Sequence, residues 1–237
     1  GLQGDVRNTL RQMIGQADAG DRRAAWLTRV RDLVAAWKES VSEVTQSDQV
    51  PIRPERLCSE LSDWLPSDAI LVSDTGHSGI WTGTMLDLKH PGQSYIRCAG
   101  SLGWGVPAAM GAKCAQPDRP VVCFTGDGGI WYHMTELDTA IKYGINTVTV
   151  VNNNHSLNQE QALVEEVYGE RTSGSDELWL FPEADLAAMA ESMGCVGIVV
   201  EKPGELASAL DQALSAGKPA VVDVRTDVEG IAQTAYT

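Results

Sequence analysis

Apolar residues in this chain fall into short continuous runs, separated by stretches in which they recur at helical spacing. Pro120 to Thr125 (PVVCFT) and Thr147 to Val151 are runs of strand length, and each stops at a polar turn, Gly126-Asp127-Gly128-Gly129 and Asn152-Asn153-Asn154. Between them Met134, Leu137, Ala140 and Ile141 share one helix face, and Gly144 stands where a helix C-cap belongs. Strand, helix, strand in a parallel sheet is a right-handed crossover, so the C-terminal ends of the two strands lie side by side, with Asp127 at one and Asn154 at the other.

The same alternation covers most of the chain. A helix with Leu57 and Leu61 inward is stopped by Pro66, and Ala69 to Val72 follows as a strand. Next come a helix over Ile80 to Leu88, a strand at Tyr95 to Arg97 and an apolar helix from Val106 with Pro107 in its first turn. Helix Asp185 to Met193, strand Cys195 to Val200, helix Gly204 to Ala216 and strand Ala220 to Arg225 complete the pattern. The expected fold is α/β: a doubly wound, mainly parallel six-stranded sheet with helices on both faces. Residues 1–48 differ, reading as helices and linker with two apolar stripes (Val6, Leu10, Met13, Ile14; Trp26, Val30, Leu33, Val34, Trp37). Two prolines in Val50-Pro51-Ile52-Arg53-Pro54 mark a boundary, which gives a helical segment 1–48 and a main domain 49–237.

Composition narrows the function. A net charge of -14 on 237 residues, with no basic cluster to offset it, argues against nucleic acid or an anionic membrane as partner. The five cysteines are odd in number, widely spaced and without a CxxC pair, which favours reduced thiols in a cytoplasmic protein over disulfides or zinc. The sequence offers no stretch of membrane-spanning length, no signal-peptide start and no GxGxxG after the first strand.

The candidate chemistry sits at the two strand ends. A carboxylate and an amide oxygen are hard ligands suited to Mg²⁺ or Ca²⁺, and Mg²⁺ shares its shell with substrate phosphates and water. Gly126, Gly128 and Gly129 let the backbone approach an anion and present N–H groups to it. Ser73-Asp74-Thr75-Gly76-His77-Ser78 is a second such turn between a strand and a helix.

GDG followed by the NN pair at the end of the next strand resembles the cofactor signature of thiamine diphosphate (ThDP) enzymes, in the branch of acetolactate synthase and benzoylformate decarboxylase. The resemblance implies ThDP and Mg²⁺ as cofactors, with metal ligands at Asp127, Asn154 and the backbone carbonyl of Ser156. It implies diphosphate contacts at Thr75, Gly76, His77 and Ser78 as well as at the GDGG turn. In Gly100-Ser101-Leu102-Gly103-Trp104-Gly105 it makes Leu102 the prop that bends the cofactor and the Gly100 carbonyl the acceptor of its 4′-amino group. The loop Gly169 to Asp176 reads as a surface loop or a flap over the site.

The resemblance spans only the C-terminal part of the family's architecture. Gly4-Asp5 and the following helix resemble the end of the middle domain; a plain N-terminal helical hairpin is the alternative. The activating glutamate of the family belongs to a pyrimidine-binding domain of the same or another subunit, so no catalytic residue is expected here, and the chain alone is expected to be inactive. FAD would enter only through a middle domain elsewhere, and a homo-dimer or tetramer is implied. The unpaired apolar stripes favour a fragment of a longer polypeptide over the small partner of a split enzyme. The implied activity is acetolactate synthase-like: decarboxylation of a 2-oxoacid followed by carboligation. The tryptophan that helps those enzymes choose an acceptor has no match in Asn158 to Glu165 (NQEQALVE), so simple decarboxylation of the benzoylformate or oxalyl-CoA type is the alternative. A non-catalytic cofactor-binding module is the reading from another class.

Overall fold

The computed structural model describes residues 1–17, 23–98, 100–169 and 174–232, and divides into two compact units, Gly1–Ser42 and Glu43–Thr237. The first unit is helical. Helix α1 (Val6–Gln16) is capped by Asp5, whose carboxylate accepts the Asn8 N–H at 2.9 Å, and α2 (Ala24–Ser40) follows. Val6, Leu10, Met13 and Ile14 on α1, and Trp26, Leu33, Val34 and Trp37 on α2, are exposed.

A single helical turn, α3 (Ser42–Thr45), precedes the main sheet unit. Ile52, between the two prolines, is fully buried and bridges in parallel to Thr226. From there the order is α4 (Pro54–Trp64), β1 (Ile70–Ser73), α5 (His77–Thr84), β2 (Ser94–Arg97), α6 (Gly105–Ala115), β3 (Val121–Gly126), α7 (Asp127–Ile130) and α8 (Glu136–Tyr143). It continues with β4 (Val148–Asn153), α9 (Gln159–Tyr168), α10 (Leu186–Ser192), β5 (Val196–Val200), α11 (Leu206–Ser215) and β6 (Ala220–Arg225).

All six strands are parallel, in the order β2-β1-β3-β4-β6-β5. The central strands β1, β3, β4 and β6 are buried almost throughout, which is why they read as continuous apolar runs, while the edge strands β2 and β5 are half-exposed. The two-residue period of a strand divides them into two cores. Leu71, Phe124, Val150 and Val222 pack with Leu57 and Leu61 of α4, Trp81 of α5 and Leu210 of α11. Val72, Cys123, Val151 and Val221 pack on the other face with Ala109 of α6, Leu137 of α8 and Leu186 of α10. The doubly wound expectation is met, with the sheet wholly parallel. Among the described residues no helix is long and apolar enough to cross a membrane.

Local differences from the sequence reading have physical causes. Helix α5 starts at His77, three residues earlier than the apolar pattern suggests, because Gly76 at φ 67° turns the chain directly into it. The single helix expected before Gly144 is two, α7 and α8, separated by a turn that leaves Trp131 and Tyr132 exposed. Gly144 does cap α8, at φ 64°. Helix α9 was not foreseen: only Gln161 is buried along it, and Leu163, Val167 and Tyr168 are exposed.

Candidate functional site

From the C-terminal end of β1 the chain runs to the edge strand β2, and from that of β3 it runs the other way, to β4. Right-handed crossovers in opposite directions put α5 and α8 on opposite faces, and the strand ends between them form a crevice. A cleft opens there, walled by Thr75 to Ser78 after β1, Gly126 to Gly128 after β3, and Asn152, Asn154 and Ser156 after β4. Leu102 and the start of α9, with Leu157, Asn158, Gln159 and Glu160, complete it.

Register brings the two motifs together. Gly126 pairs with Asn152 as the strands end, so Asp127 and Asn154 lie on the same border of the sheet. The Asp127 Oδ1 accepts the Gly128 N–H at 2.9 Å, and Oδ2 accepts the N–H of Ser156, 29 residues away, at 2.8 Å. Asn154 Oδ1 accepts the Ser156 hydroxyl at 2.9 Å. Ser156 also forms an antiparallel bridge with Leu180, in which the His155 carbonyl accepts from Phe181 N–H and Leu157 N–H donates to the Trp179 carbonyl, both at 2.7 Å. In that pairing the N–H and C=O of Ser156 itself face away from Leu180, toward the side on which Asp127 lies.

Asp127 is 4% exposed. Burial pushes its carboxyl up to about 7, against the pull of the Gly128 and Ser156 N–H groups, which favour the anion. Two N–H bonds leave acceptor capacity on each oxygen, and a divalent cation would hold the group ionised.

The Asn triplet is aimed from behind. Asn153 donates from Nδ2 to Asp223 Oδ1 on β6 at 2.7 Å, and Asp223 Oδ2 accepts the Leu186 N–H at 3.1 Å and faces Arg225 at 3.2 Å. Burial raises the Asp223 carboxyl, opposed by Asn153 and Arg225. His155 stands at φ 54°, a left-handed conformation unusual for a residue with a side chain. Its N–H donates to Asn153 Oδ1 at 3.2 Å, and its Nε2 lies 3.2 Å from Arg225. Asn153 therefore belongs to the support, and Asn154 to the cleft.

On the opposite wall His77 and Ser78 open α5. Burial lowers the His77 pKa, which keeps its imidazole neutral near pH 7. Two expected residues lie off the cleft wall. Gly100, at φ 80°, gives its N–H to Thr75 Oγ1 at 3.1 Å, and a Cβ on Gly129 would come 2.6 Å from Thr125 Oγ1 beneath the turn. Residues 170–173 of the expected flap lie outside the described residues, and Ser175–Leu178 is a 3-10 turn.

The donor set suits a hard cation and an anion. Among the described residues no three His, Cys, Asp or Glu side chains cluster to hold a metal, and the cleft offers carboxylate, amide, hydroxyl and carbonyl oxygens. Asn152 Oδ1 and Asn158 Oδ1 are buried there with no hydrogen-bond partner, as in a site shaped around a ligand. A Cβ on Gly128 would sit 2.5 Å from Leu157 Cδ2, so the turn has room only for glycine unless Leu157 moves. Asn152, Leu157, Asn158, Gln159 and Glu160 are not among the expected site residues; their proximity to Asn154 along the chain was the available signal.

Residues 74–224 match the family described as thiamine pyrophosphate enzyme, C-terminal TPP binding domain. The acetolactate synthase large subunit of Parasynechococcus marenigrum (strain WH8102) is 34% identical over 93% of this chain and 35% of its own length. A probable acetolactate synthase of Mycobacterium bovis is 31% identical over 96% of this chain and 41% of its own. Among solved structures, the thiamine diphosphate-dependent 4-hydroxybenzoylformate decarboxylase of Rhodococcus jostii RHA1 aligns with a TM-score of 0.68 at 30% identity, covering 78% of this chain and 34% of that one. The chain thus spans well under half the length of these relatives.

Proposed function

The chain belongs to the thiamine pyrophosphate enzymes, through their C-terminal TPP binding domain, and on that premise we propose that its cleft holds ThDP through Mg²⁺ and serves an acetolactate synthase-like reaction on 2-oxoacids. The observation that carries the reading is the bond from Ser156 N–H to Asp127 Oδ2, which draws the GDG turn and the NN turn into one oxygen-lined corner. In this reading Asp127, Asn154 and the Ser156 carbonyl ligate the metal. The backbone N–H groups of Gly76 to Ser78 receive the diphosphate, as the starts of α5 and α9 favour negative charge. Leu102 supports the rings.

Bound ThDP supplies the carbanion chemistry of decarboxylation and carbon–carbon bond formation. The residues of this chain anchor, orient and shield; the activating glutamate comes from a pyrimidine-binding domain of the same or another subunit, in a homo-dimer or tetramer. The odd number of cysteines, widely spaced and without a CxxC pair, supports a cytoplasmic setting.

Calorimetry with ThDP tests the anchoring. Tight binding with Mg²⁺ that vanishes in EDTA is expected, and equal binding in both would refute the metal bridge. A second reading, simple decarboxylation, is supported by the likeness to the 4-hydroxybenzoylformate decarboxylase and by the absence of tryptophan from Asn158 to Glu165. With a pyrimidine-binding domain supplied and pyruvate as substrate, acetolactate as product favours carboligation and acetaldehyde favours decarboxylation. Turnover of either kind excludes a non-catalytic module.

A further inference from the structure

Asp74 ends the β1 segment next to the cleft without lining it, and is 1% exposed. Its Oδ1 accepts the N–H of Thr75 at 2.7 Å and of Gly103 at 3.0 Å; its Oδ2 accepts the N–H of Gly105 and the hydroxyl of Thr125, both at 3.1 Å. Three of the four groups are backbone N–H donors, at least one to each oxygen, and the Thr125 hydroxyl also lies 3.2 Å from the Gly126 carbonyl. Only an acceptor-only side chain satisfies such a set, since an amide of the same shape would turn an NH₂ toward N–H groups.

The four donors come from three separate parts of the chain: the turn after β1, the loop before α6, and the end of β3. Two of them, Gly103 and Gly105, follow Leu102 closely in the chain, and Leu102 lines the cleft. The Gly103 peptide is held from its other end as well, by His133 Nδ1 at 2.9 Å from its carbonyl. Gly103 at φ 84° packs so closely that a Cβ there would lie 2.4 Å from that of Tyr132, and a Cβ on Gly105 would lie 3.0 Å from Asp74 Oδ2. Moving Gly103 or Gly105 away from Asp74 would break these bonds.

We propose that Asp74 is a positioning residue: by binding the N–H groups of Gly103 and Gly105 it fixes how far Leu102 projects into the cleft relative to the Gly126–Gly128 turn. The part Leu102 plays toward the cofactor rests on the reading given under Proposed function; the fixing of the loop does not.

The test uses the 237-residue chain and the variants Asp74→Asn, Leu102→Ala and the double variant. In the ligand-free protein, amide exchange at Gly103 and Gly105 should quicken at least about tenfold in Asp74→Asn while Gly128 keeps its protection. Unchanged exchange at Gly103 and Gly105 overturns the proposal. In titrations with Mg²⁺ present, Asp74→Asn should weaken ThDP about tenfold but inorganic pyrophosphate less than about twofold, because pyrophosphate has no rings to meet Leu102. Leu102→Ala should show the same selectivity, and adding Asp74→Asn to it should cost nothing further. Losses that multiply, or an equal loss for pyrophosphate, overturn action through Leu102. A wild-type chain that binds neither ligand refutes the proposed function, and the exchange result alone then decides whether Asp74 holds the loop. Should Asp74→Asn fail to fold, Thr125→Val removes one donor from the same carboxylate and should quicken Gly105 exchange to a smaller degree; no change there counts against the proposal.

Discussion

Asp74 and Asp127 follow neighbouring strands, are 1% and 4% exposed, and use burial in opposite ways. Asp74 accepts four bonds from its own chain and has nothing left to offer a ligand. Asp127 accepts from the N–H groups of Gly128 and Ser156, fronts the cleft, and has its carboxyl raised to about 7 by burial. A saturated buried carboxylate is a fastener; one left short of donors at a cleft wall keeps acceptor capacity that a ligand can use. The difference lies in the donors supplied by residues distant in sequence.

The sharpest break of this contrast is Asp127→Asn. Magnesium-dependent ThDP binding should weaken by about a hundredfold or more, a loss of ligand binding read by calorimetry. The reverse is expected at the other carboxylate: Asp74→Asn should cost about 2 kcal/mol of stability, measured by denaturant unfolding without any ligand, because a buried donor is forced against donors.

Titration of Asp127 comes next. The Asp127 carboxyl rises from 3.8 to about 7 on folding, so the folded chain holds a proton that the unfolded chain has lost. Its contribution to ligand-free stability is full below pH ~4 and is lost as pH rises through about 7. Magnesium affinity should run the other way, climbing about tenfold per pH unit up to neutrality and then levelling, and Asp127→Asn should abolish both slopes. The smallest effect should come from Gly128→Ala, whose Cβ would crowd the movable end of Leu157 at 2.5 Å and otherwise reach Leu157 Cγ and Phe181 Cε2 only at 3.4 Å. ThDP affinity should drop about threefold, with stability changed by less than about 1 kcal/mol; a larger loss in titration would mean that Leu157 cannot yield.

Most of the sheet was legible because central parallel strands are buried on both faces and therefore print as unbroken apolar runs, as Val121 to Thr125 does. The Asp127–Asn154 corner was legible because a crossover unit fixes which ends meet. Helix α9 was not, since its single buried residue is polar. Nor was the role of Asp74: Gly103, Gly105 and Thr125 look in sequence like ordinary turn and strand residues, and only the fold brings them to one carboxylate. The left-handed His155 was equally silent, because nothing local demands that conformation and the support from Asn153 and Arg225 comes through tertiary contacts.

No lysine or arginine lines the cleft among the described residues, and the chain carries -14 overall. Repulsion of an approaching anion extends over a Debye length, whereas the dipoles at the starts of α5 and α9 act only within about one helical turn. A bare polyanion meets the barrier before the reward. Neutralised by a bound divalent ion, the same anion escapes that repulsion.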